Sequence, residues 1–555
     1  MTNPFVAYLN SLHNDQSSNQ NAIAEMHIKS PFFSSTQVER PLISYLCDQL
    51  KNEKFVVLTG HAGDGKTTLL AQVLAELGVP QTELLKKGTV NCGFTLRYIK
   101  DFSELTADEQ KQELNECFSS SKASLLIANT GPLLKSMKSL CSDSALENTL
   151  LDAMDQPAGQ DVSIEGLGAV FILNIARVNN IDFIKPYLKN LIADELWSAC
   201  EQCPRKAVCP MLLNQRLLKE NFERASSFIE KCYIWLQEYD NRATIRQITA
   251  HLTYAMTGGV SCELVQANGI PLWRYSYLFS NLFWGSLGAK DDEAARQIRG
   301  IKLLQENAFD QRATSIDYTL FVKNETEAHF TPQMNQMLQE VAPYLRPIEA
   351  GRKQRVLKRA YLLFGQHTQA ADDEIQKQVF SEWFDMYLEG CATGSKPSNK
   401  VKSAICRAIN TLFVGESFDE SSDRINLTLR RNNEQTSNVQ LLSGQIYEDD
   451  VSLRFEETKS ISKNKKNYQL MLNVGSKVRF RVSLPLLNYF YEIKNGVIFT
   501  DIDPMLSNGI DSLKAQLLSA FSKTHDHGEA TVLFLQGTKW RKRKLFVSNG
   551  HIDHE

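Results

Sequence analysis

The spacing of apolar and polar positions divides the chain into three stretches of different period. Phe55-Val56-Val57-Leu58-Thr59 is an unbroken apolar run ending at a glycine turn. Leu69 to Leu77 follows with helical spacing and stops at Gly78 and Pro80. Further strand-like runs lie at Phe94 to Ile99, at Ser124 to Ala128 (SLLIA) and at Ala169 to Ile175 (AVFILNI). SLLIA is almost wholly apolar, as expected for a strand covered on both faces. Thr106 with Glu109 reads as a capping box that opens a helix between two of these runs, and Thr36 with Glu39 reads as another in the arm ahead of Lys54. Strands alternating with helices predict a parallel sheet wrapped by helices.

After Asp194 the period is helical, at Leu212 to Gln237, Thr244 to Met256, Trp273 to Leu304 and Met334 to Leu412. From about Phe418 it changes to two: INLTLR, VSLRF, YQLMLNV, KVRFRVSL, ATVLFLQG and KLFVSN read as strands, with one helix near Ser512 to Phe521. The predicted segments are an N-terminal helical arm over 1–54, an α/β core over 55–194, a helical lid over 195–265, a helical domain over 266–415 and a β-rich domain over 416–555.

GHAGDGKT, from Gly60 to Thr67, matches G-x-x-x-x-G-K-[ST] and sits between the first strand-like run and the helix after it. Gly60, Gly63, Asp64, Gly65, Lys66, Thr67 and Thr68 are therefore the expected nucleotide-binding residues, and the fold class expected is an α/β P-loop NTPase core. Glycines let successive N–H groups surround a phosphate, and the following helix adds its N-terminal dipole. Lys66 is expected on the β/γ phosphates and the Thr67 hydroxyl on Mg²⁺. Asp101, ending a strand-like run, is the expected second Mg²⁺ carboxylate, with a turn aspartate as the plainer reading. Phe102 and Ser103 follow it where many ATPases carry a glutamate, and Glu104 is a weaker candidate base. Asn129, after SLLIA, is the expected polar sensor of the γ-phosphate, with a turn asparagine ahead of Gly131 as the alternative. Arg177 and Arg246 are candidate γ-phosphate contacts, each with a structural arginine as the alternative. Nucleotide identity, ATP or GTP, stays open.

Cys200, Cys203 and Cys209 form C-x2-C-x5-C, with Pro204 and Pro210 beside them. A C-x-x-C pair presents two thiolates to one metal, and a third cysteine closes most of a site. Cys262 is the preferred fourth ligand; Cys232, Cys141 and His251 are alternatives. Zn²⁺ is the default. The spacing also resembles the last three ligands of the iron–sulfur staple of AddB-type nucleases, so a [4Fe-4S] cluster stays open, as do plain buried thiols.

Composition adds little direction. The formal charge is -3, so any pull on nucleic acid must come from local patches such as KWRKRK at Lys539 to Lys544 or SKNKKNY at Ser462 to Tyr468. Both also read as ordinary basic strands or turns. The first residues lack the basic and apolar regions of a secretory signal, and no run approaches about 20 apolar residues, so a cytoplasmic protein without a membrane span is expected. The eleven cysteines are then expected as reduced thiols.

LTGHAGDGKTTLL, IKDFSEL followed by LLIANTG, and the W-x2-C-x2-C-x5-C-P stretch before TIRQI together resemble the DptF (DndF) family, the ATPase component of DNA phosphorothioation-dependent restriction systems. The resemblance covers mainly residues 55 to 265. It implies an antiviral defence protein that hydrolyses ATP, works with DptG- and DptH-type partners and meets DNA directly or through them. It also implies that Gly60, Gly65, Lys66 and Thr67 take nucleotide and Mg²⁺ and that Asp101 takes the second metal-side role, a role the Asp101-Phe102 pair puts in question. A homo-oligomer stays open. So do a stand-alone signalling ATPase, an iron–sulfur DNA motor and, least of all, a small-molecule kinase.

Overall fold

All five residues of β1 (Phe55–Thr59) are buried, because the strand lies in the middle of a six-stranded sheet with helices on both faces. The computed structural model describes residues 2–13, 29–52, 54–79, 85–120, 122–141, 145–267, 276–284, 293–341, 350–415, 423–429, 438–459, 466–497, 499, 501–522, 528–537, 539–548 and 551–554. One compact unit runs to Ile375 and a second begins at Gln376.

In the first unit the sheet contains β2 (Lys87–Asn91), β3 (Thr95–Ile99), β4 (Ala123–Ile127), β5 (Gln160–Ile164) and β6 (Gly168–Asn174), in the order β2-β3-β4-β1-β6-β5. The inner strands β3, β4, β1 and β6 are mutually parallel. The outer strands β2 and β5 are antiparallel to their neighbours, so the sheet is mixed rather than wholly parallel. Neither outer strand was expected from the sequence. KGTVN and QDVSI are short and half-exposed, and they carry no apolar run.

Side chains of β1 alternate between two cores. Val56 and Leu58 pack with Leu42, Leu46 and Leu50 of α2 (Pro41–Lys51) and with Leu70, Val73 and Leu74 of α3 (Lys66–Glu76). Phe55 and Val57 pack on the other side, against α4 (Ala107–Ser119), α5 (Thr130–Leu140) and α6 (Leu146–Met154). Burial on both faces is why β1 and β4 read as continuous apolar runs instead of alternating ones.

The Thr106 capping box is formed, with Thr106 Oγ1 accepting from the Glu109 N–H and Glu109 accepting from the Thr106 N–H. The expected box at Thr36 is not. Thr36 ends a short helix, Phe33–Thr36, and the next one, α2, starts at Pro41. The Thr36 hydroxyl instead bonds back to the carbonyl of Phe32 at 2.9 Å, a local bond that competes with capping.

Beyond the sheet the first unit is helical, with α7 (Ile184–Leu191), α8 (Pro210–Glu220), α9 (Phe222–Glu238) and α10 (Ile245–Thr257). The single helix expected over Leu212 to Gln237 is two, broken at Asn221. Ahead of the sheet lies α1 (Pro4–Ser11), capped by the Asn3 side chain. Among the described residues no helix is long and apolar enough to cross a membrane.

The second unit begins earlier than the expected boundary at 415/416. Helix α11 (Asn399–Val414) packs on β7 (Arg424–Thr428) through Asn410, which accepts from the Asn426 N–H at 2.8 Å, so this helix belongs with the β-rich region. One antiparallel sheet joins β9 (Val451–Thr458), β10 (Asn467–Val474) and β11 (Val478–Arg481). Another has the order β14-β13-β12-β8-β7, with β8 (Val439–Tyr447), β12 (Glu529–Gln536), β13 (Lys539–Ser548) and β14 (His551–His554). Two helices, Leu484–Lys494 and Pro504–Phe521, stand where one was expected. KWRKRK lies in β13, where it pairs with β12 on one side while β14 pairs only with Leu545–Ser548, so among the described residues the run borders no strand on its other side and stands as a basic strand edge; Arg541, Lys542, Arg543 and Lys544 are all exposed. Of SKNKKNY, residues 462–465 lie outside the described residues.

The two-sided burial of β1 carries a stability cost that can be measured. Leu58→Ala should destabilise the first unit by about 2–5 kcal/mol, while Leu151→Ala, on an exposed face, should change it by less than about 0.5 kcal/mol. Thermal melts of the two variants against the parent chain check this.

Candidate functional site

The loop from Gly60 to Gly65 joins the carboxyl end of β1 to the first turn of α3. Gly63 and Gly65 have φ of 90° and 81°, in the left-handed region where a β-carbon is strained. Gly63 has a packing reason as well, since a β-carbon there would meet Thr244 Oγ1 at 3.0 Å.

The loop is fastened from below by Asp64, which is 1 % exposed. Its carboxylate accepts from the His61 N–H at 3.0 Å and pairs with the Arg242 guanidinium at 2.9 Å. Arg242 also donates to the carbonyl of Ile175 at 3.1 Å. Asn180 is buried beside them. It donates to the Ala243 carbonyl at 3.1 Å and accepts from Arg40 at 3.3 Å. The α10 end adds a backbone bond, from the Arg246 N–H to the Gly63 carbonyl at 3.1 Å. Thr244 and Gln247 cap that helix with a reciprocal box.

A cavity of about 280 Å³ opens beside the loop. Gly63, Gly65, Lys66, Thr67 and Thr68 line it, and so do Asp101, Asn129, Glu104 and Arg246, which the sequence had scattered over nearly two hundred positions. Asp101 and Asn129 follow the parallel strands β3 and β4, so these residues meet at the carboxyl ends of adjacent strands, where open α/β sheets hold ligands. The Asn129 N–H donates to Ser103 Oγ at 2.9 Å, tying the two strand ends together. Thr59 and Thr130 share a hydroxyl–hydroxyl bond of 3.0 Å nearby. Tyr8, Val38, Phe183 and Tyr187 give the same cavity an apolar and aromatic wall.

Four cationic side chains, Arg40, Lys66, Lys100 and Arg246, line the cavity against two carboxylates, Asp101 and Glu104, so its wall favours an anion. Lys66 donates to the carbonyls of Gly60 and His61, both at 2.9 Å. Burial pulls its ammonium down to about 8; Asp64 opposes this and Arg246 adds to it.

Some expected residues stand elsewhere. Asp64 does not face the cavity; it holds the loop from its buried side. Gly60 is likewise absent from the cavity wall and packs against Ile175. Arg177 is half-exposed and paired with Asp155 at 2.5 Å, away from the cavity. Glu104 faces the cavity but also pairs with Lys86 at 3.2 Å. The sequence reading missed Lys100, which is 4 % exposed and 3.4 Å from the Asp101 carboxylate, and it missed the Asp64–Arg242 pair. A lysine next to the candidate aspartate in IKDF was the available signal for the first. Nothing local marks Arg242, because its partner lies 178 positions away.

Cys200, Cys203, Cys209 and Cys262 line a second, much smaller cavity of about 20 Å³. Burial raises the thiols of Cys200 and Cys262 and pushes Cys209 up to about 11. Among the described residues no group of three or more His, Cys, Asp or Glu side chains is arranged to hold a metal ion as it stands. The alternatives to Cys262 are not at this cavity. His251 is wholly buried between the Tyr233 hydroxyl at 2.6 Å and the Leu282 carbonyl at 2.7 Å, and Cys232 and Cys141 do not line the cavity. Among the described residues no two cysteines are joined by a disulfide.

In comparisons with known proteins, no family model, no curated protein and no solved structure matches the chain.

Two measurements probe this geometry. Arg242→Ala leaves the buried Asp64 carboxylate without its charge partner and should cost about 3–5 kcal/mol, read as a lower unfolding midpoint. Because burial lowers the Lys66 pKa, its neutral amine gains population at lower pH than an ordinary lysine. Labelling by an amine-reactive acylating reagent, mapped by peptide mass spectrometry, should therefore be half-maximal near pH 8 at Lys66 and still rising above pH 9 at exposed lysines.

Proposed function

We propose that this chain is a Mg-ATP-dependent P-loop NTPase and that it serves as the ATPase subunit of a DNA phosphorothioation-dependent restriction complex. The observation that carries the first part is the meeting of Gly63, Gly65, Lys66 and Thr67 with Asp101 and Asn129 around one cation-lined cavity. Backbone N–H groups of the loop and the N-terminus of α3 suit a phosphate chain. Lys66, now bonded to two loop carbonyls, has a competing partner in the β/γ phosphates. Thr67 and Asp101 are the oxygen ligands for Mg²⁺, a hard cation that prefers oxygen and neutralises phosphate charge when bound. Lys100 tempers the charge of Asp101, so Asp101 is a weaker magnesium ligand than an unpaired aspartate. Asn129 is the polar group for the γ-phosphate or the attacking water, and Arg246 is the cation that reports on the same phosphate from α10. The aromatic wall of Tyr8, Phe183 and Tyr187 suits a purine base.

The second part rests on the resemblance of residues 55 to 265 to the DptF family. In that reading hydrolysis is coupled to restriction of DNA lacking the phosphorothioate mark, DptG- and DptH-type subunits are the partners, and DNA is met directly or through them. The exposed cations of β13 are the first surface to examine for direct contact.

Phosphate release from ATP, measured with and without duplex DNA, tests both parts. Lys66→Ala should lower turnover by about 10²–10³-fold, the usual loss on removing one group that stabilises developing charge. Turnover unchanged by that substitution would sink the nucleotide reading. Lys66-dependent turnover that DNA stimulates supports the restriction reading. If DNA has no effect, alone or with the partner subunits present, a nucleotide-switched assembly ATPase replaces it.

A further inference from the structure

We propose that Cys200, Cys203, Cys209 and Cys262 form a site for one thiophilic divalent cation of the Zn²⁺ type, and that this site pins α1 in place. Four sulfurs from two distant segments line one cavity, and the pair Cys200–Cys203 has the spacing that presents two thiolates to a single ion. Four cysteine thiolates are the donor set of a structural zinc site, and metal analysis separates a single ion from a [4Fe-4S] cluster. The thiols stand around the cavity rather than at bonding distance from a common centre, so side-chain rotation must bring the sulfurs to about 2.3 Å from the ion.

A second observation concerns the surroundings of the sulfurs. Both the backbone and the side-chain N–H groups of Asn3 are aimed at them, as in the outer shell of thiolate metal sites. The Asn3 N–H lies 3.4 Å from Cys262 Sγ, and Asn3 Nδ2 lies 3.3 Å from Cys200 Sγ. Asn3 uses its remaining groups to donate to the Leu196 carbonyl at 3.0 Å and to cap α1 through the Phe5 N–H at 3.0 Å. The first turn of α1 is thus built on the thiol cluster.

The other end of α1 reaches the larger cavity, where Tyr8 and Leu12 form part of the wall. Eight helical residues span roughly 12 Å, so one short rigid element joins the two sites. Asn10 fixes its last turn, donating to the Val260 carbonyl at 2.9 Å and accepting from Thr257 at 2.7 Å. Loss of the ion loosens α1 and with it one wall of the nucleotide cavity; this consequence alone rests on the nucleotide reading above.

Metal analysis of the purified full chain is the test. About one zinc per chain is expected, and the double variant Cys203→Ser/Cys262→Ser should carry almost none. That variant can fail for want of folding. Parent chain stripped of zinc, with its helical circular dichroism intact, is therefore titrated with Co²⁺, and one equivalent should produce the charge-transfer and visible bands of a tetrahedral tetrathiolate. Parent chain that carries no zinc and takes up no Co²⁺ would overturn the site. So would iron and sulfide in place of zinc, or zinc content indifferent to the double substitution. Removing zinc should weaken binding of a fluorescent ATP analogue by about tenfold, within the usual range for coupled sites. Unchanged affinity would overturn the link through α1. A chain that holds one zinc but binds no ATP analogue would refute the nucleotide reading and leave the thiol site standing.

Discussion

A carboxylate with almost no access to water has to be compensated, and Asp64 is compensated by three different parts of the first unit. One partner is the His61 N–H of its own loop, another is Arg242 just ahead of α10, and the third is Asn180 after β6. Arg242 in turn holds the Ile175 carbonyl, and Asn180 holds the Ala243 carbonyl and Arg40. The loop's backbone is therefore fixed by interactions on the face turned away from the cavity, which leaves Gly63, Gly65 and Lys66 facing in. Shift this pair and the strand end, the loop and the first turn of α10 must all move together.

The same arrangement sets the electrostatics of the cavity. Asp64 is kept out of it and spends its charge on Arg242, while Lys66, Lys100, Arg40 and Arg246 remain on the wall. A polyanion gains from that excess, and the helix dipole of α3 acts in the same direction. Asp101 and Glu104 are the carboxylates on the same wall, and the Lys100 ammonium lies 3.4 Å from that of Asp101. Helix α1 gives the wall its least expected member, since residues near the start of the chain contribute to both the large cavity and the thiol cavity.

Legibility in the sequence follows how local the signal is. The loop, its glycines and Lys66 were readable because their spacing is fixed by backbone geometry within eight residues. Strands β1 and β4 were readable because burial on both faces makes them almost wholly apolar, and β6 because its buried stretch Val170–Leu173 is apolar. Strands β2 and β5 were not, for they sit at the sheet's margins, half-exposed, and exist through pairing with a neighbour. The boundary near Gln376 was missed for a related reason: Asn399–Val414 has ordinary helical spacing, and only its contacts with β7 assign it to the second unit.

By itself, then, the sequence determined a mixed α/β architecture with a β-rich C-terminal region, a loop of phosphate-binding spacing, and a cysteine cluster with Cys262 as its preferred fourth member. Tertiary structure alone decided that Asp64 braces the loop from behind, that Arg177 faces away, that Lys100 shadows Asp101 and that α1 bridges two cavities. The physical reason is the same in each case. Loop conformation and strand burial are properties of a few consecutive residues, whereas the orientation and compensation of a buried charge depend on partners that folding brings from far along the chain.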